Sequence, residues 1–171
     1  MLFRSSSAVT RLADNLTLVI GSETSLTQGT VVTHALAPWG KNPVTGQFYW
    51  TFVKNSVGFN DSVRFNQAAN AQLERHGILV GGVGVTLDTG SFTSRAEFKT
   101  AMAWQASEQQ GYSSNGSSIT GISLTLPAID RFCVGCAAVG ANNATASSPI
   151  KSIHYYPVRK DNTFLQAAIV L

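Results

Sequence analysis

An all-β sandwich is the fold class this sequence predicts, and three observations carry the prediction. Helical periodicity is scarce, short runs of alternating or β-branched residues recur, and Gly, Pro, Asn and Ser bound those runs at intervals typical of sandwiches. At 171 residues the chain accommodates one ordinary domain around one core.

The first strand expected is Thr30 to Ala37, stopped by Pro38 and Gly40. A loop, WGKNPVTG, leads to the aromatic strand Gln47 to Lys54, in which strict alternation places Tyr49 and Trp50 on opposite faces. Asp61 to Asn66 and Ala71 to His76 read as weaker strands, the second ending in a charged stretch, LERH, expected on a face or an edge. Ile78 to Asp88 reads as a stronger strand, bent, bulged or closely approached where Gly81, Gly82 and Gly84 remove side chains. These glycines do not make a phosphate loop, because no Lys-Ser/Thr pair or following helix accompanies them.

In Phe98 to Gln105, alternation sends Phe98, Thr100, Met102 and Trp104 into the core. A strand near Gln109 to Ser114 then meets Asn115-Gly116, a dipeptide suited to a tight hairpin turn. Ile122, Leu124 and Leu126 alternate with polar residues up to Pro127, and Asp130 to Ala137 is the next strand. Gly140 to Pro149 is small and polar, hence a surface loop and a candidate contact. Ile150 to Tyr156 closes the series. A short helix follows, capped by Asp161, with Phe164, Leu165 and Ala168 facing inward.

Composition narrows the function. Charged residues make up 12% of the chain, and the net charge of +3 comes from cations scattered between Arg4 and Lys160 without a run. Nucleic acid is therefore not an expected partner, since counterion release needs clustered cations. No stretch approaches the length of a membrane span, so no membrane partner is expected either. The first residues, MLFRSSSAVTRLADN, have a transit-like composition but no apolar core of a secretory signal. They read better as an arm.

Cys133 and Cys136 have the C-x-x-C spacing of a redox pair or half a zinc site. Zinc needs four ligands, no second Cys pair exists, and His34, His76 and His154 are far apart in sequence. The pair reads as two small buried residues, and no metal or cofactor is expected. A glycosidase needs two carboxylates flanking the scissile bond. None of the nine acidic residues lies within six positions of another, and no Ser-His-Asp or Cys-His signature appears. No catalytic residue is assigned.

The C-terminal half carries a resemblance. FKTAMAW, the Asn115-Gly116 turn, SLTLPAIDRFCVG and IKSIHYYPVRKDNTFLQAA together resemble the concanavalin A-like lectin/glucanase jelly roll (laminin-G-like) found in tailed-phage virion proteins. Tyr155, Tyr156, Pro157, Arg159, Leu165, Gln166 and Ala167 match in order and spacing. The match is close from Glu97 onward, looser over 29–97 and absent over 1–28. Lys160 stands where an apolar residue is expected and Phe164 where an acidic one is, which suggests a helix turned towards a partner.

The resemblance implies a two-sheet antiparallel jelly-roll sandwich over residues 29–171, preceded by a docking arm over 1–28 and closed by the helix. It also implies a virion setting, assembled in the host cytoplasm. The function expected is then a non-enzymatic structural part, a capsid decoration or cement protein or a tail-attached component. Its partners would be other virion proteins or further copies of itself. The alternative is a lectin-like adhesion module that binds a surface glycan, because jelly-roll faces hold sugars through aromatic stacking and amide hydrogen bonds. Trp39, Tyr112, Asn142 and Asn143 are the candidate contact residues for glycan or partner. Trp50, Trp104 and Tyr155 are expected in packing instead.

Overall fold

The structure is a computed structural model that describes residues 16–22, 24, 25, 27–37, 46–54, 60–68, 72–106, 108–113, 119–121, 125–137 and 148–171, with backbone alone at 17, 110–113 and 119–121. In chain order the strands are β1 (Leu16–Val19), β2 (Gln28–Leu36), β3 (Gln47–Val53), β4 (Ser62–Gln67), β5 (Leu73–Val80) and β6 (Val83–Ser91). They continue with β7 (Glu97–Gln105), β8 (Glu108–Ser113), β9 (Ile119–Gly121), β10 (Arg131–Val134) and β11 (Ile150–Tyr156), before helix α1 (Asn162–Ala168). A six-stranded sheet runs β1-β10-β3-β4-β5-β6 and a five-stranded sheet runs β11-β2-β7-β8-β9, with every pairing antiparallel. The jelly-roll sandwich expected from the sequence is thus present. Residues 16–19, inside the stretch assigned to an arm, form an edge strand of the first sheet by pairing with β10.

The inner faces meet in one apolar core. Phe98, Met102 and Trp104 enter it from β7 as alternation requires, and Val31 and Ala35 enter from β2. From the other sheet come Trp50, Phe52, Val63, Phe65 and Ile78. Full burial of each such side chain contributes about 1.5–3 kcal/mol. Their rings are in close contact: Phe52 and Phe132 lie 4.6 Å apart, Phe92 and Phe98 4.9 Å.

Polar bonds cross this core between the sheets. Trp50 Nε1 donates to Thr33 Oγ1 over 2.8 Å, and His76 Nε2 is hydrogen-bonded to Thr100 Oγ1 over 2.8 Å. Thr33 and Thr100 are themselves opposite one another on β2 and β7.

Several sequence expectations need correction. Tyr49 and Trp50 both face the core, because a register shift between Phe48 and Trp50 adds a residue to β3 and cancels one step of alternation. Residues 78–88 form a hairpin where one strand was expected. Gly81 and Gly82 take φ of +58° and +81°, the pair of positive angles that a two-residue turn of mirror-image type demands. Leu73-Glu74-Arg75-His76 lies on an interior strand, and Glu74 and His76 are fully buried. The strand expected to reach Ala137 ends at Val134, where Gly135 adopts φ +74°. Residues 125–130 form no strand, and Asn115-Gly116 lies outside the described residues.

The helix packs on the outer face of the second sheet. Leu165 is buried against Val32, Ala101 and Ala103, with Phe164 and Ala168 at its flanks. Asp161 caps it as expected, its Oδ1 accepting from Phe164 N at 2.8 Å. Lys160 and Phe164, the two departures from the resembling family, meet each other: the Lys160 ammonium stands 5.5 Å from the Phe164 ring and 5.2 Å from the Tyr156 ring. Intramolecular packing accounts for both, with no partner required.

Two stability predictions follow from these contacts. Asp161→Ala removes the cap and should cost about 1 kcal/mol, lowering the melting temperature by about 2–4 °C. Burial holds the His76 imidazole neutral, pushing its pKa from 6.5 to about 3, with Asp88 opposing the shift weakly. The unfolded chain takes up that proton near 6.5 and the folded chain does not until about 3. Stability is therefore complete above pH 6.5 and lost as pH falls towards 3, by up to about 1.4 kcal/mol per unit. Urea midpoints at pH 7 and pH 5 should differ accordingly, and His76→Gln should flatten the difference.

Candidate functional site

The same alternation that sends Val63, Phe65, His76 and Ile78 inward turns Arg64, Asn66 and Arg75 to the outer face of the first sheet. Asp88 joins them from β6, directly opposite Arg75. Arg75 grips Asp88 with two bonds, Nε to Oδ1 at 2.7 Å and Nη2 to Oδ2 at 2.9 Å. That grip raises the Arg75 pKa, the hydrogen bonds outweighing burial.

Arg64 lies deeper, only 9% exposed. Its guanidinium carbon is 5.4 Å from the centre of the Phe48 ring. Its side chain crosses β5 at Gly77, where a Cβ would stand 3.2 Å from Arg64 Nε. Gly77 thus leaves the space in which Arg64 lies. Burial first, and the nearby positive charge of Arg75 second, push the Arg64 pKa from 12.5 down to about 10, so it remains a cation at neutral pH. Beside it, Asn66 Nδ2 donates to the Gln67 carbonyl at 2.8 Å, while Asn66 Oδ1 makes no hydrogen bond with the described residues.

Access to this face is graded. At β3 and β10 it is closed, since residues 135–137 fold back over it: Gly135 N donates to Tyr49 O at 2.8 Å and Thr51 Oγ1 to Cys136 O at 3.1 Å. Cys133 and Cys136 are buried there with Val53, as free thiols. Their mutual hydrogen bond, then burial, pushes the Cys136 thiol pKa upward, away from the thiolate that metal or redox chemistry uses. Among the described residues no group of three or more His, Cys, Asp or Glu could hold a metal ion. Towards β5 and β6 the face opens, and the side chains of Arg75 and Asp88 are about a third exposed.

Of the contact residues expected from sequence, Trp39, Asn142 and Asn143 lie outside the described residues. Tyr112 sits on β8, in the other sheet, and only its backbone is described. The flanks of the two undescribed segments do meet: Leu36 N donates to Pro149 O at 3.0 Å, and Phe48 packs on Ala137. Trp50 and Trp104 are core residues, and Tyr155 packs against the core.

The arginine face was missed from sequence, although a signal existed. Counting back from a two-residue turn at Gly81-Gly82 pairs Arg75 with Asp88 and Arg64's neighbour Gly77 with Thr86.

No family model matches the chain, and no curated protein sequence matches it. Solved structures do. The domain is similar to the CBM40 of the Ruminococcus gnavus IT-sialidase bound to α2,3-sialyllactose, with TM-score 0.68, 14% identity, and coverage of 86% of this chain and 84% of that one. It is similar to a mutant of the NanB sialidase from Streptococcus pneumoniae, with TM-score 0.67, 13% identity, and coverage of 91% of this chain but 26% of that one. Congerin II, as a single mutant, gives TM-score 0.52 and 10% identity over 84% of this chain and 100% of that one. Nothing in these likenesses connects the domain to virion proteins. At such identities they show the fold, a β-sandwich jelly roll of the kind found in lectin modules.

Proposed function

We propose that the domain is a non-catalytic carbohydrate-binding module that takes an acidic glycan on the outer face of the first sheet. The observation that carries this reading is the pair Arg64 and Arg75. Arg64, buried beneath the face and cationic at neutral pH, adds positive charge behind Arg75, which favours an anionic ligand there. Arg75 gives Nε and Nη2 to Asp88, and its remaining N–H groups suit a charge-assisted bond to a ligand carboxylate. The remaining parts suit a sugar: Asp88, about a third exposed, can accept from hydroxyls, and the Phe48 ring backs Arg64. The fold supports the reading as well, since the similar R. gnavus domain was solved with sialyllactose bound.

The resemblance of Tyr155-Tyr156-Pro157 and the helix to phage virion proteins supplies a second, narrower setting. In it the same face would attach a virion to a glycan on the host surface.

A glycan array of sialylated and neutral oligosaccharides tests the main reading. Binding should favour the acidic set and weaken with added salt. Arg75→Gln should reduce affinity by about 10–100-fold, the loss of one charge-assisted pair, while the melting curve stays cooperative. Equal binding of neutral and acidic glycans, or no loss on this substitution, would overturn it.

A further inference from the structure

The two long sides of the sandwich differ. On one side β6 packs against β8 and β9, joining the sheets. On the other, the edge strands β1 and β11 stand apart and leave a cavity of about 230 Å³ between the sheets. Phe52 and Phe132 form its wall on the first sheet and Tyr155 on the second, with Leu18 of β1, Ile20 just beyond it and Thr24 completing the lining.

This cavity is built rather than incidental. The Phe52 ring lies 4.6 Å from Phe132 and 5.3 Å from Tyr155, so the three rings hold one another in place. The Tyr155 hydroxyl accepts from Ser25 N at 3.0 Å, which fixes the ring beside Ser25. Ile20 N donates to Asp130 O at 3.0 Å and fastens the end of β1. At the mouth, Leu18 is 51% exposed and Val19 72%, so apolar surface continues outward from the cavity.

We propose that this cavity binds a small aromatic group, of about the size of an indole ring. The physical reasons are volume and lining. An apolar cavity of about 150 Å³ accepts benzene, and this larger one, half open to solvent, has room for a fused bicycle. Aromatic pairs add about 0.5–1.5 kcal/mol beyond the area they bury, so a ring seated against Phe52, Phe132 and Tyr155 is favoured over an aliphatic guest. Few polar groups face the space, so water inside is poorly held and is displaced at little cost. The cavity lies between the sheets and the arginine face lies outside them, so the two sites are separate and this inference does not depend on the glycan reading.

Indole is the probe, titrated into the whole chain and followed by calorimetry and by chemical shifts of the Phe and Tyr rings. Saturable binding is expected with a Kd of about 1 mM or tighter, the range open to a ligand of this size. Leu18→Trp should fill the mouth and weaken indole at least tenfold. Thr24→Arg should do the same by placing a charge in the lining, and it guards against a disturbed β1, since it leaves that strand's sequence intact. Both variants should keep the wild-type circular dichroism. Absence of saturable binding to the folded wild-type protein would overturn the proposal, and so would folded variants that both bind indole as the wild type does.

Discussion

The structure depends on a pair of threonines that face each other across two neighbouring strands. Thr33 and Thr100 each receive a polar ring from the opposite sheet, the indole of Trp50 and the imidazole of His76. A buried hydrogen bond adds only about 0.5–1.5 kcal/mol net, but leaving such a group unpaired costs about 1–3 kcal/mol. The bonds therefore act chiefly as selectors. A one-residue slip of β3 or β5 would strand the indole or the imidazole away from its threonine and would also turn every apolar residue outward. Register is held twice, by shape and by polarity.

Once the inner face is fixed, the outer face follows without further choice. Arg64, Asn66 and Arg75 are the residues left over when Val63, Phe65, His76 and Ile78 are committed to the core. What makes them a site is local relief: a residue without a side chain at Gly77, a ring at Phe48, and a carboxylate at Asp88 that engages one guanidinium with both of its oxygens. The turn of chain at 135–137 covers the face at β3, and solvent reaches Arg75 and Asp88 on the β5 and β6 side.

Much of the fold was legible in the sequence because β7 and the helix obey simple periodicities. Phe98, Met102 and Trp104 fall into the core on alternate positions, and Asp161 stands where a cap belongs. The misreadings share a cause, a backbone event that resets the count. A bulge beside Tyr49 puts two consecutive rings inside, and the paired positive φ angles at Gly81 and Gly82 convert one apolar run into two strands. The arginine face was hidden by the same error, since Arg75 and Asp88 become neighbours only when that turn is recognised. Aromatic residues drew attention in sequence because sugars stack on rings, yet most of the rings described here pack against one another. Tertiary contact also explains Lys160 and Phe164, which look like separate anomalies until the helix brings them together.

The placement of the helix gives the molecule a direction. It covers the outer face of the second sheet, and beyond it Val170 is held to that same face by the Lys99 ammonium, 2.6 Å from its carbonyl oxygen. The arginines occupy the opposite side of the sandwich. Whatever holds the chain by its last residues would thus point the cationic face away from the point of attachment, as a sensor is mounted with its window outward.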